Sequence, residues 1–115
     1  MADYAVTVSL GGTRTAQMLA ATATADDTTP SVDGIEVLLI PANTGATAIT
    51  QLDGSAAYQK VILICTSATN PPTIADGATF LLSANWAPNI DDTITLFTVN
   101  GGASAVWREI SRSAN

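Results

Sequence analysis

Apolar and polar positions alternate along much of this chain with a period near two, the spacing of strands rather than helices. Asp3-Tyr4-Ala5-Val6-Thr7-Val8-Ser9-Leu10 alternates in this way and stops at Gly11-Gly12, which predicts a short strand and a turn. Residues 13–29 are mostly Ala and Thr, with Met18 and Leu19 the only large apolar side chains. Two conformations suit this stretch: a short helix over 15–21, from the propensity of alanine, or an extended arm that orders on contact with a partner. The arm is the preferred expectation. Asp26-Asp27-Thr28-Thr29-Pro30 then predicts a loop, because proline holds the residue before it extended and Asp favours turns. The pattern therefore divides the chain into an N-terminal strand and arm, residues 1–29, and a second region, residues 30–115.

Beyond Pro30, short β-branched runs are separated by Gly, Asn, Asp and Pro. Strands are predicted over 35–40, 46–51, 60–66, 79–83, 93–100 and 105–111. Turns fall at Asn43-Thr44-Gly45, Asp53-Gly54, Asn70-Pro71-Pro72, Asp76-Gly77, Asn89-Ile90-Asp91-Asp92 and Gly101-Gly102. The expected fold is all-β: a compact antiparallel β-sandwich or barrel with an extended N-terminal arm, or alternatively a β-helix or β-prism-like trimer. Val37-Leu38-Leu39-Ile40 and Val61-Ile62-Leu63-Ile64 do not alternate, which is the mark of strands covered on both faces. In so small a domain the second cover is either another copy of the chain or the second sheet of a tight sandwich.

Composition narrows the chemistry. Hydrophobic residues make up 47% of the 115, enough for one core, but only 5% are aromatic, so that core is built from small and β-branched side chains. Four basic against ten acidic residues give a formal charge of −6, and Arg14, Lys60, Arg108 and Arg112 are scattered, so no nucleic-acid partner is expected. There is no histidine, which removes the commonest general base and metal ligand, and an enzyme is not expected. The single Cys65 lies in an apolar run, where a small buried thiol packs well. No apolar run approaches the roughly 20 residues that span a bilayer, and Met1-Ala2-Asp3-Tyr4 opens no secretory signal, so neither membrane nor secretory route is expected.

The remaining candidates are weak. Asp53, Asp76, Asp91 and Asp92 offer oxygen ligands for calcium, but no Asp-x-Asp-x-Asp-Gly loop is present; neither a metal nor any cofactor is expected. The same carboxylates serve as an acid–base pair only if the fold brings them together. Gly11-Gly12-Thr13 and Gly101-Gly102 lack the spacing and lysine of a phosphate loop. Trp86 sits between two predicted strands, where it either meets a partner or caps the core. Trp107, in the last predicted strand, is expected in the core or at a subunit interface.

Taken together, Gln59-Lys60-Val61-Ile62-Leu63-Ile64, Thr73-Ile74-Ala75-Asp76-Gly77 with Phe80-Leu81-Leu82, Asp92-Thr93-Ile94-Thr95-Leu96, and Trp107-Arg108-Glu109-Ile110-Ser111-Arg112-Ser113-Ala114-Asn115 resemble a structural module of tailed-bacteriophage virion proteins. The likeness runs from about residue 29 to residue 115 and is most distinctive in the closing Trp-x-Glu-x-x-Arg-Ser run. It implies an all-β fold that tends to form homotrimers, and a place in tail fibres, spikes or the capsid surface. A short chain with its own Met fits a decoration, or cement, protein on the outer capsid surface, stabilising the head by binding between major capsid subunits. A tail-fibre or spike module for host-surface binding is the alternative. In the first case Tyr4, Val6, Val8, Met18 and Leu19 are expected to contact the major capsid protein. Trp107, Arg108, Glu109 and Arg112 are expected at the trimer interface, with Arg108 or Arg112 paired to Glu109 of a neighbour.

Overall fold

The computed structural model describes residues 19–115. Six strands form one mixed sheet: β1 (Ala20–Thr22), β2 (Val37–Ile40), β3 (Lys60–Cys65), β4 (Phe80–Leu81), β5 (Thr93–Thr98) and β6 (Trp107–Ser113). Their spatial order is β1-β2-β3-β5-β6-β4. Only one short 3₁₀ turn, Gly102–Ser104, interrupts the β character among the described residues.

The antiparallel sheet expected from the sequence is corrected. The pairs β3–β5 and β5–β6 are antiparallel, but β1–β2, β2–β3 and β4–β6 are parallel. For the β2–β3 pair, connection length accounts for the difference. A tight turn returns a strand antiparallel, whereas a parallel neighbour needs a long crossover. Residues 41–59 make that crossover between β2 and β3 without a helix, burying Ile49 and Leu52 as they pass.

The strand predicted over 46–51 is absent for a related reason. Its backbone bonds are divided between two separate segments: Ile49 N–H donates to Thr73 O (2.9 Å) and Thr50 N–H to Thr28 O (2.8 Å), with only an isolated bridge at Ala48 and Thr73. No single neighbour supplies a ladder. At the other end of the sheet, Ala20–Thr22 is a strand, which excludes the helix alternative at those residues. Leu19 O accepts from Glu36 N–H (2.8 Å) and Ala23 N–H donates to Leu39 O (2.9 Å), so the chain lies extended along β2. Thus β1 joins the sheet across the boundary drawn near Pro30, while the strand expected over 3–10 lies outside the described residues.

The core covers one face of the sheet. Leu38, Ile40, Val61, Leu63, Ile94, Leu96 and Trp107 project from the strands, and Val32, Ile49, Leu52, Ile74, Phe80, Trp86 and Ala105 close over them from the connections and the edge strand. Along β2 and β5, and along β3 after the exposed Lys60, buried and half-buried residues alternate without a break. The second layer is thus built largely from long loops, whose backbone groups bond to one another and to the strand ends.

Candidate functional site

The closing motif of β6 works within its own chain. Trp107 has no exposed surface; its Nε1 donates to Gln51 Oε1 (3.1 Å) and its backbone N–H to Thr79 O (2.8 Å). The indole is enclosed by its own chain, which puts this ring in the core of the fold.

Two residues on, Glu109 accepts from Arg112 Nε (2.7 Å) and Nη2 (2.9 Å), from Ser83 N–H (2.8 Å) and from Ser83 Oγ (2.9 Å). Arg112 also donates to Ala84 O (2.8 Å) and Asn85 O (3.3 Å). The pair latches the 83–85 loop to the last strand. Residues three apart in a regular strand point to opposite faces. Here a β-bulge intervenes: Thr95 pairs with Ser111 and Leu96 with Glu109, leaving Ile110 as the extra residue. Glu109 and Arg112 consequently lie opposite Leu96 and Ile94, on one side of the sheet. Arg112, donating to the Glu109 carboxylate, holds that group down at about 2, with Ser83 adding to the effect against a smaller opposing push from burial. The Glu109 carboxylate in turn raises the Arg112 guanidinium. Within the single chain Arg112 therefore pairs with Glu109 of its own strand. Arg108 is exposed and reaches only Val106 O (3.3 Å) among the described residues.

The chain end is tied down next to this latch. Asn115 donates from its backbone to Asp92 Oδ1 (2.7 Å) and from Nδ2 to Asp91 O (2.8 Å). Asn89 and Asn115 N–H groups on the Asp92 carboxylate lower its pKa.

The opposite sheet face is built differently. Cross-strand registers place Val37, Ile62, Thr95 and Ser111 in one row, Leu39, Ile64, Thr93 and Ser113 in the next, and Lys60, Phe97 and Arg108 in a third. Val37, Leu39, Ile62, Ile64 and Phe97 are all only half-buried, and Ile110 at the bulge is 60% exposed. The face is apolar towards β2 and β3 and hydroxylated towards β6, with its two cations confined to one end. It was legible in the two non-alternating apolar runs, whereas the place of Phe97 on it needed the β3–β5 register.

The other candidates resolve into structure. Trp86 is buried, and its backbone exchanges both hydrogen bonds with Ile74 (2.8 and 2.9 Å), which settles the choice in favour of the core. Burial raises the Cys65 thiol, which donates to Ser67 O (3.2 Å). Asp76 accepts from Leu82 N–H (2.9 Å) and Asp92 from its own turn, while Asp53 N–H donates to Pro30 O (2.9 Å). Among the described residues no three His, Cys, Asp or Glu side chains are grouped to hold a metal. Leu19 is half-buried beside β2; Tyr4, Val6, Val8 and Met18, the other residues expected to touch a capsid, lie outside the described residues.

No protein family, curated protein or solved structure matches the chain.

Proposed function

We propose that this protein is a structural component of a tailed-bacteriophage virion: a decoration protein that binds as a homotrimer to the outer capsid surface, between major capsid subunits. The observation that carries the reading is the second face of the sheet, where Val37, Leu39, Ile62, Ile64 and Phe97 form an apolar surface free of charge except at one end. Such a face suits burial against copies of the same chain, because a self-made interface needs one apolar patch rather than a cleft. The resemblance of the closing motif to virion modules supports the same reading. The latch stiffens β6 beside that face, and Arg108 is the member of the motif left open for a neighbour.

Function then rests on avidity. Three equivalent weak contacts at a threefold position of the shell act as one strong attachment through effective concentration. The tail-fibre or spike alternative draws its support from Tyr58, 71% exposed on the turn ahead of β3, where an aromatic ring is placed to meet a ligand.

Light scattering on the purified protein, followed by co-sedimentation with capsids stripped of accessory proteins, tests the proposal. A trimer that saturates the capsids is expected. A monomer that leaves capsids bare overturns it, and a trimer that binds bacterial cells instead of capsids replaces it with the fibre reading.

A further inference from the structure

The sequence contains six asparagines, and the structure separates one of them from the rest. Deamidation starts when the backbone nitrogen of the following residue attacks the asparagine side-chain carbon. It therefore needs a free side-chain amide, a following nitrogen that is unscreened and not engaged as a donor, and room for a five-membered ring.

Five positions fail on one count or more. Asn43 is buried; its Oδ1 accepts from Asp26 N–H and its Nδ2 donates to Asn70 O. Asn70 precedes Pro71, which has no N–H to deprotonate, and its own Nδ2 donates to Asn43 O. Asn85 Oδ1 accepts from Asp76 N–H, and the following Trp86 N–H is bonded to Ile74 O. Asn89 is followed by β-branched Ile90, whose side chain screens the nitrogen, and the Asn115 side-chain amide is engaged, donating from Nδ2 to Asp91 O and accepting at Oδ1 from Ser113 Oγ.

Asn100 alone combines a free side-chain amide with an open following nitrogen. It is exposed at the turn between β5 and β6, and its side chain makes no hydrogen bond with the described residues; only its carbonyl is used, accepting from Thr98 Oγ1. The next residue is Gly101, with no side chain to screen its nitrogen, and its N–H is likewise unbonded among the described residues. This glycine is not replaceable: a Cβ there would meet Ala56 C and Ser55 O at 2.7 Å and Ala57 N at 2.8 Å. Packing of the 55–57 backbone against the turn thus requires the one residue that leaves Asn100 most open to attack.

We infer that Asn100 is a site of spontaneous deamidation in the folded protein. The deprotonated Gly101 nitrogen forms a bond to Asn100 Cγ, the Cγ–Nδ2 bond breaks and ammonia leaves, giving a succinimide. Water then opens the ring at one of its two carbonyls, yielding aspartate or isoaspartate. Either product adds a negative charge to a chain of formal charge −6, and isoaspartate also lengthens the main chain by one carbon. The change falls where Gly102 N–H docks on Ser55 O (2.9 Å) and Val99 O accepts from Tyr58 N–H (3.2 Å), beside the exposed Tyr58 ring. The site is independent of any virion role.

The test ages the full-length protein in warm, mildly alkaline buffer and follows it by ion exchange and by peptide mapping with mass detection. A more acidic species is expected, with a gain of one mass unit at residue 100 that precedes any gain at the other five asparagines and slows as the pH is lowered. Asn100→Gln is expected to lose that species. The inference is overturned if residue 100 stays unmodified in the folded protein while reacting in denaturant, or if Asn100→Gln yields the acidic species at the wild-type rate.

Discussion

Leu38, Ile40, Val61 and Leu63 are chemically interchangeable with Val37, Leu39, Ile62 and Ile64, yet the first set is buried and the second only half-buried. The two sets alternate along the same two strands, β2 and β3, and have the same strand neighbours. What differs is the layer above them. The first set lies under the 41–59 crossover and the other long connections, which contribute Val32, Ile49, Leu52 and Ile74 to the core. Over the second set, the described residues leave the apolar side chains only half-buried. Burial at these positions follows from where long loops cross, and side-chain chemistry alone does not reveal which face that will be.

Substitutions on the two faces should separate their roles. The largest loss of folding stability is expected from Leu63→Ala, about 2–5 kcal/mol, because the side chain is fully enclosed and the cavity collapses only in part. Chemical denaturation measures this directly. Gln51→Leu comes next, at about 1–3 kcal/mol, since it leaves the enclosed Trp107 indole N–H without its acceptor. Ile62→Ala, on the half-buried face, should cost the monomer only roughly 1 kcal/mol. Ile62→Lys, however, should lower the mass of the assembly in light scattering, and an unchanged mass would remove this face from any subunit contact.

The smallest effect is the acid dependence of the latch. Glu109 in the folded chain titrates at about 2, below the ordinary carboxylate value, so its stabilising effect is complete above about pH 5 and declines as pH falls towards 2. The Arg112 side chain keeps 30% of its surface exposed and Glu109 10%, and screening of that exposed part by water and salt keeps the contribution modest. Glu109→Gln should flatten this part of the stability–pH profile while leaving stability on its acid side little changed.

Periodicity located the central strands well, because residues 35–40, 60–66, 93–100 and 105–111 carry their strand signal locally. Each overlaps an observed strand and agrees with it to within two residues at either end. The 46–51 run carried a similar signal and failed, since pairing depends on a continuous neighbour and its backbone bonds go to two. Parallel pairing was likewise invisible, because no local pattern records which way a connection of some twenty residues returns. At the candidate site, the two non-alternating apolar runs announced the half-covered face. The Glu109–Arg112 latch, by contrast, could not be read from an i,i+3 spacing in a strand, because its geometry depends on the extra residue at Ile110.

The crossover also bears on the order in which the chain assembles. Strands β5 and β6 meet through a short turn, so their pairing closes a small loop and is kinetically cheap. Strands β2 and β3 meet only after residues 41–59 have been drawn across the sheet, and the entropy of closing that loop is spent before the parallel contacts return it. The hairpin should therefore be largely formed in the folding transition state and the β2–β3 pair only later. Substitutions in β5 or β6 would then slow folding, whereas those in β2 would mainly hasten unfolding. Until the crossover closes, the strand with the most apolar second face is also the last to find its neighbour, and that interval is when the chain is most open to pairing with another copy.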